Sequence, residues 1–146
     1  SMRAVIPALS CLALAALSAC AQPADTVSVR TRPAAYSAPV VLFVQPDSAE
    51  IQRMHRRLGD DAFYTTADDA MWYQAQAIDL LDSLRVPHQD VRRGEARFIV
   101  HGKARPFTWK DADQAWFLVI YDGANEPVIA STVDLREHLP RLAARR

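Results

Sequence analysis

Four aspartates, Asp60, Asp61, Asp68 and Asp69, bracket Phe63 and Tyr64 and stand just before Trp72 and Tyr73. Carboxylate pairs beside aromatic rings can hold a cation, a sugar or a basic loop, and paired carboxylates divide the acid and base roles in glycoside hydrolysis. A plainer account competes: Asp68 and Asp69 sit in a first helical turn and complement its dipole, while Asp60 and Asp61 are solvated loop residues. A second constellation is basic. Arg92, Arg93, Arg97, Lys103 and Arg105 interleave with Phe98, His101, Phe107 and Trp109. Guanidinium forks and aromatic planes recognise phosphates, carboxylates and stacked rings, so Arg97, Arg105, Phe107 and Trp109 form the candidate partner site. The alternative there is a strand edge guarded by charge.

Other chemistries find no support in the spacing. His55, His88, His101 and His138 are scattered, with none of the close pairs that a zinc site uses, so no metal is expected. Ser48, Ser83 and Ser131 lie in no Gly-x-Ser-x-Gly elbow. Gly59, Gly94, Gly102 and Gly123 are too far apart for a phosphate-cradling loop, and no cofactor is expected. The 17 Lys and Arg balance 17 Asp and Glu, which argues against a nucleic-acid partner.

The beginning of the chain reads as an address. Ser1 stands before Met2, which reads as the initiator, and after Arg3 residues 4–17 run without a charge. Such a stretch is shorter than the roughly 18 to 20 apolar residues of a membrane span and suits a secretory signal. It ends Leu17-Ser18-Ala19-Cys20, which resembles the bacterial lipobox at all four positions. That resemblance implies a signal peptide over residues 1–19, cleavage before Cys20, and acylation of Cys20 by chains such as palmitate. Ala21 in the next position resembles a signal for outer-membrane delivery rather than inner-membrane retention, and the expected location is the periplasmic face of that membrane. Lipidation also explains an exported thiol whose only possible partner, Cys11, leaves with the signal. Several acyl chains on one residue, at about 0.8 kcal/mol per buried methylene, anchor stably. Loss of Arg3 leaves 16 basic against 17 acidic residues, about one net negative charge.

Residues 20–38 hold the lipidated Cys and a stretch of Pro and small residues that reads as a tether, with an edge strand over 26–31 as the competing reading. A single domain is expected over 39–146. The run PVVLFV at 39–44 suits a buried strand. Asp47 and Glu50 open a helix by a capping box, Ile51, Met54 and Leu58 recur along it, and Gly59 stops it. Arg53, Arg56 and Arg57 are expected in water. Residues 62–65 read as β-prone, and Thr66-x-x-Asp69 reads as the cap of a second helix over 67–85 with Ala70, Tyr73, Ala77, Leu81 and Leu84 on one stripe. Residues 90–101 alternate loosely around Phe98 and Val100. WFLVIY at 116–121 is the strongest strand signal, an Asp122-Gly123-Ala124-Asn125 turn returns a strand at 127–130, and residues 131–134 cap a last helix that Pro140 kinks or shortens.

The expected class is α/β or α+β, one small domain with a mixed central sheet and helices. Its PVVLFV strand leading into a helix and its FLVIYDG hairpin before a terminal helix resemble a thioredoxin-like domain. Gln45, Pro46, Asp47 and Ser48 stand where that family carries its redox Cys-x-x-Cys, so thiol exchange has no attacking thiolate. The expectation is a non-enzymatic envelope lipoprotein that binds a periplasmic protein or envelope component, an inhibitor or immunity role falling within that class. The rivals are a periplasmic carboxylate-dependent hydrolase and a redox-inactive thioredoxin-like scaffold.

Overall fold

The computed structural model describes residues 34–144; the expected signal at 1–19, Cys20 and the alternative strand at 26–31 lie outside them. In chain order the elements are β1 (Ala35–Tyr36), β2 (Val40–Gln45), α1 (Ser48–Leu58), α2 (Asp60–Ser83), β3 (His88–Arg92), β4 (Glu95–Val100) and β5 (Lys103–Thr108). β6 (Phe117–Tyr121), β7 (Val128–Ala130), a 3-10 turn (Thr132–Asp134) and α3 (Leu135–Ala143) follow. The result is a small mixed α+β domain. One sheet has the order β3-β2-β6-β7, with β2 parallel to β3 and β6 antiparallel to both β2 and β7. A second, smaller sheet has the order β1-β4-β5.

β2 and β6 are central because their sequences leave no solvent face, as the apolar runs VVLFV and FLVIY imply. Alternation then sends their side chains to two different layers. Val41, Phe43, Leu118 and Ile120 meet Ala77 and Leu81 of α2 and Leu135 and Leu142 of α3. Val40, Leu42, Val44, Phe117, Val119 and Tyr121 meet Ala96, Phe98 and Val100 of β4, with Trp109 beside them. Helices cover one face of β2 and β6, and two sheets stand in place of the one mixed central sheet expected. The cause lies in residues 95–108, where His101 and Gly102, both at positive φ (50° and 75°), turn the chain in two residues. That geometry is the tight hairpin turn matched to strand twist, and the hairpin so formed is apolar on one face.

β1 lies before the boundary expected at residue 39. Ala35 and Tyr36 pair in parallel with Arg97 and Phe98, and the Tyr36 ring lies 5.9 Å from that of Phe98.

Asp47 caps α1 as expected. Its Oδ1 accepts from the Glu50 backbone N–H at 2.7 Å, and Glu50 Oε2 accepts from the Asp47 N–H at 3.1 Å. The second helix differs from its expectation. It starts at Asp60, directly after Gly59 at φ 77°, so residues 62–65 are helical and Thr66 is no cap. Thr66 Oγ1 donates to the Ala62 carbonyl one turn back at 2.7 Å, a bond made within helices. The β-propensity of the stretch yields because the helix lets Phe63 bury against His55, ring centroids 4.5 Å apart. Asp60 and Asp61 therefore occupy the first turn, and Asp68 and Asp69 lie in mid-helix. α3 runs through Pro140 to Ala143.

Asp122 is the buried acid of the β6–β7 turn, 5% exposed. Burial opposes its charge, but the N–H groups of Asn125 and Ala124, the Asn125 side chain and Arg141 outweigh burial and hold its carboxyl below the ordinary value.

Candidate functional site

The corner between α1 and α2 is fixed by three local features. Gly59 reverses the chain, His55 stacks on Phe63, and His55 Nε2 pairs with Asp60 Oδ1 at 2.5 Å. Held in this way, α2 presents two distinct faces. Phe63, Ala77 and Leu81 turn to the protein and are buried. Tyr64, Asp68, Met71 and Trp72 recur at spacings of four, seven and eight residues and so share the opposite face. Tyr64 is 57% exposed, Met71 67% and Trp72 57%. The helix carries six aspartates, Asp60, Asp61, Asp68, Asp69, Asp79 and Asp82, and no basic residue. Aromatic and sulfur-bearing side chains in water on an all-acid helix make the most distinctive exposed surface of the described residues.

On the other side of the corner lies an open groove of about 800 Å³ between α1, α2, residues 112–116 and residues 131–133. Arg93 organises one wall. Its guanidinium donates to the Ala112 and Gln114 carbonyls, its Nε lies 2.5 Å from Glu50 Oε1, and it stands 5.3 Å from the Phe117 ring centre. The Nε–Oε1 approach is an ion pair by distance; its angle is not that of a hydrogen bond. This pair is largely buried, with side-chain exposures of 13% and 16%.

The partner site expected on the basic hairpin is not assembled. Trp109 is 2% exposed, its Nε1 donating to the Arg92 carbonyl at 3.3 Å, so it is a core residue and no surface anchor. Phe107 is half-buried, 6.0 Å from the Phe98 ring. The register puts Arg97 opposite Pro106 and Phe107 opposite Ala96, so Arg97 and Phe107 point to opposite faces of the small sheet. Arg97 bonds the Ala104 carbonyl at 3.4 Å; Arg105 alone of the four is exposed. Spacing in a β-hairpin alternates faces, and the aromatic members took the inward one.

The aspartates of the hydrolase reading do not converge either. Asp60 is paired with His55, all four lie on the exposed sides of α2, and none lines the groove. Ser83 Oγ donates to the Leu80 carbonyl and Ser131 Oγ to Asp134. At the β2–α1 junction Gln45 bonds Gln74 and Asp47 caps the helix, so the side chains in the place of the redox motif serve the fold. No group of three or more His, Cys, Asp or Glu side chains converges to hold a metal among the described residues, nor is any described helix long and apolar enough to cross a membrane.

The exposed face of α2 was readable only in part. A helix that starts at residue 67 leaves Tyr64 outside it and hides the alignment of Tyr64 with Met71 and Trp72. The signal was present in the absence of any basic residue between Asp60 and Ser83. The chain matches no known protein family, no curated protein and no solved structure.

Proposed function

We propose that this chain is a non-enzymatic cell-envelope lipoprotein, anchored in the outer membrane through acylated Cys20 on the periplasmic face, and that its domain binds a basic protein through the outer face of α2. The observation that carries the binding site is the exposure of Tyr64, Met71 and Trp72 on a helix with six aspartates and no basic side chain. Aromatic residues are the types that most often dominate binding energy. The acids around them steer and select a cationic partner and repel an anionic one. The lipid anchor rests on the lipobox resemblance at residues 17–20.

The rival readings have less behind them. A carboxylate-dependent hydrolase needs its acids in a concave site, and the aspartates of α2 stand on an exposed helix. A redox-inactive thioredoxin-like scaffold draws support from the β2–α1 opening and the β6–β7–α3 ending, and is compatible with a binding role.

Capture from envelope extract with the full chain tests the reading. Trp72→Ala and Tyr64→Ala should each lose the partner, the wild type should lose it as salt rises, and Arg105→Ala should keep it. Retention by both α2 variants contradicts the assignment. Labelling with an acyl probe that marks the wild type and not Cys20→Ser supports the anchor, and equal labelling removes it.

A further inference from the structure

The groove beside α1 is a separate feature from the outer face of α2. At about 800 Å³ it lies in the range of cavities that take a small molecule. Much of its lining is apolar, and Leu58 (36%), Tyr73 (41%) and Val133 (58%) remain exposed there, with Met54 and Trp116 beside them. A smaller cavity of about 130 Å³ shares Tyr73, Thr132 and Val133 with it and reaches Leu135, so the apolar track is elongated.

The charge of the groove is unbalanced. Arg93 is neutralised by Glu50 within the wall. Arg53 and Arg57, one helical turn apart on α1, also line the groove, and neither makes a hydrogen bond or ion pair among the described residues. Asp113 is the remaining acid of the lining, which leaves two free guanidinium groups against one carboxylate. We propose that this groove binds a single-chain amphiphile with an anionic head, a carboxylate or phosphate held by Arg53 and Arg57, its apolar body lying along Leu58, Tyr73, Trp116 and Val133. Guanidinium forks take either head by paired hydrogen bonds, and burial of the exposed apolar lining supplies the rest. The apolar track explains why a small free anion is not the ligand, and the two unpaired arginines explain why a neutral one is not.

Titration calorimetry tests this on the full chain carrying Cys20→Ser, so that no acyl chain of its own competes. Dodecanoate and dodecyl phosphate, kept below their micelle concentrations, should bind saturably, and the tighter of the two identifies the head. Arg53→Ala and Arg57→Ala should each weaken that binding about tenfold or more, whereas Arg56→Ala, exposed on the same helix but outside the groove, should leave it unchanged. Dodecyl maltoside and dodecyltrimethylammonium should bind at least tenfold more weakly than the anions. Equal affinity for the neutral or cationic amphiphile, inorganic phosphate binding as tightly as dodecyl phosphate, or unchanged affinity in both arginine variants would each overturn the proposal.

Discussion

Replacing Phe98 with Ala tests how the two sheets are joined. Phe98 is fully buried and its ring touches three others, with centroids 5.9 Å away at Tyr36, 6.0 Å at Phe107 and 5.2 Å at Tyr121. Those rings come from β1, β5 and β6, so one side chain ties the small sheet together and fastens it to the large one. Full burial of a Phe side chain contributes about 1.5 to 3 kcal/mol, and each well-placed ring pair adds about 0.5 to 1.5 kcal/mol. Partial collapse of the vacated space recovers some of that sum, which gives a loss of about 3 to 5 kcal/mol, the usual range for Phe-to-Ala in a core. At roughly 4 °C per kcal/mol for a domain near 100 residues, the melting temperature should fall by about 12 to 20 °C. Urea unfolding followed by circular dichroism reads the change directly, with the slope retained if the transition stays two-state. A loss below about 1 kcal/mol would refute the inter-sheet core and leave the hairpin as an independent flap.

The Asp122 carboxyl, held low in the folded protein, should make stability depend on acid. Its contribution is complete above the unfolded value of 3.8 and is lost as pH falls through the lower folded value; Asp122→Asn should flatten the stability curve below pH 4, and an unchanged curve contradicts the assignment. Asp47→Ala removes a capping box and should cost about 1 kcal/mol in urea unfolding, whereas Asp69→Ala, exposed in mid-helix, should change stability by less than about 0.5 kcal/mol. Deleting the chain up to residue 38 removes β1 and the Tyr36–Phe98 contact, and should lower the melting temperature of the domain by several degrees; an unchanged melt would return the boundary to Pro39.

Where apolar pattern and local chemistry agree, the sequence can be read directly. The runs at 40–44 and 117–121 have no polar face, so they could only be central strands, and Asp47 with Glu50 satisfies the N–H groups of α1 within four residues. Errors arose where a distant contact decided between two local options. Residues 62–65 favour a strand by composition, yet the stack of Phe63 on His55 draws them into α2. Trp109 and Phe107 look like surface anchors when read beside Arg105, because a one-dimensional pattern of mixed charge and rings does not say which face of the hairpin meets β2 and β6. The groove was illegible for a related reason: Arg53 and Arg57 read as solvent-facing on α1, and only the loop at 112–116 and the turn at 131–133 give them a concave setting.

We propose that the acidic, aromatic face of α2 meets a basic partner. Photo-crosslinking in the native envelope measures that most directly, with a benzophenone side chain placed at Met71 in one strain and at Arg105 in another. One discrete adduct to a basic protein is expected from position 71, abolished by Trp72→Ala, with no matching adduct from position 105. An adduct from position 105 that survives Trp72→Ala, with none from position 71, would contradict it.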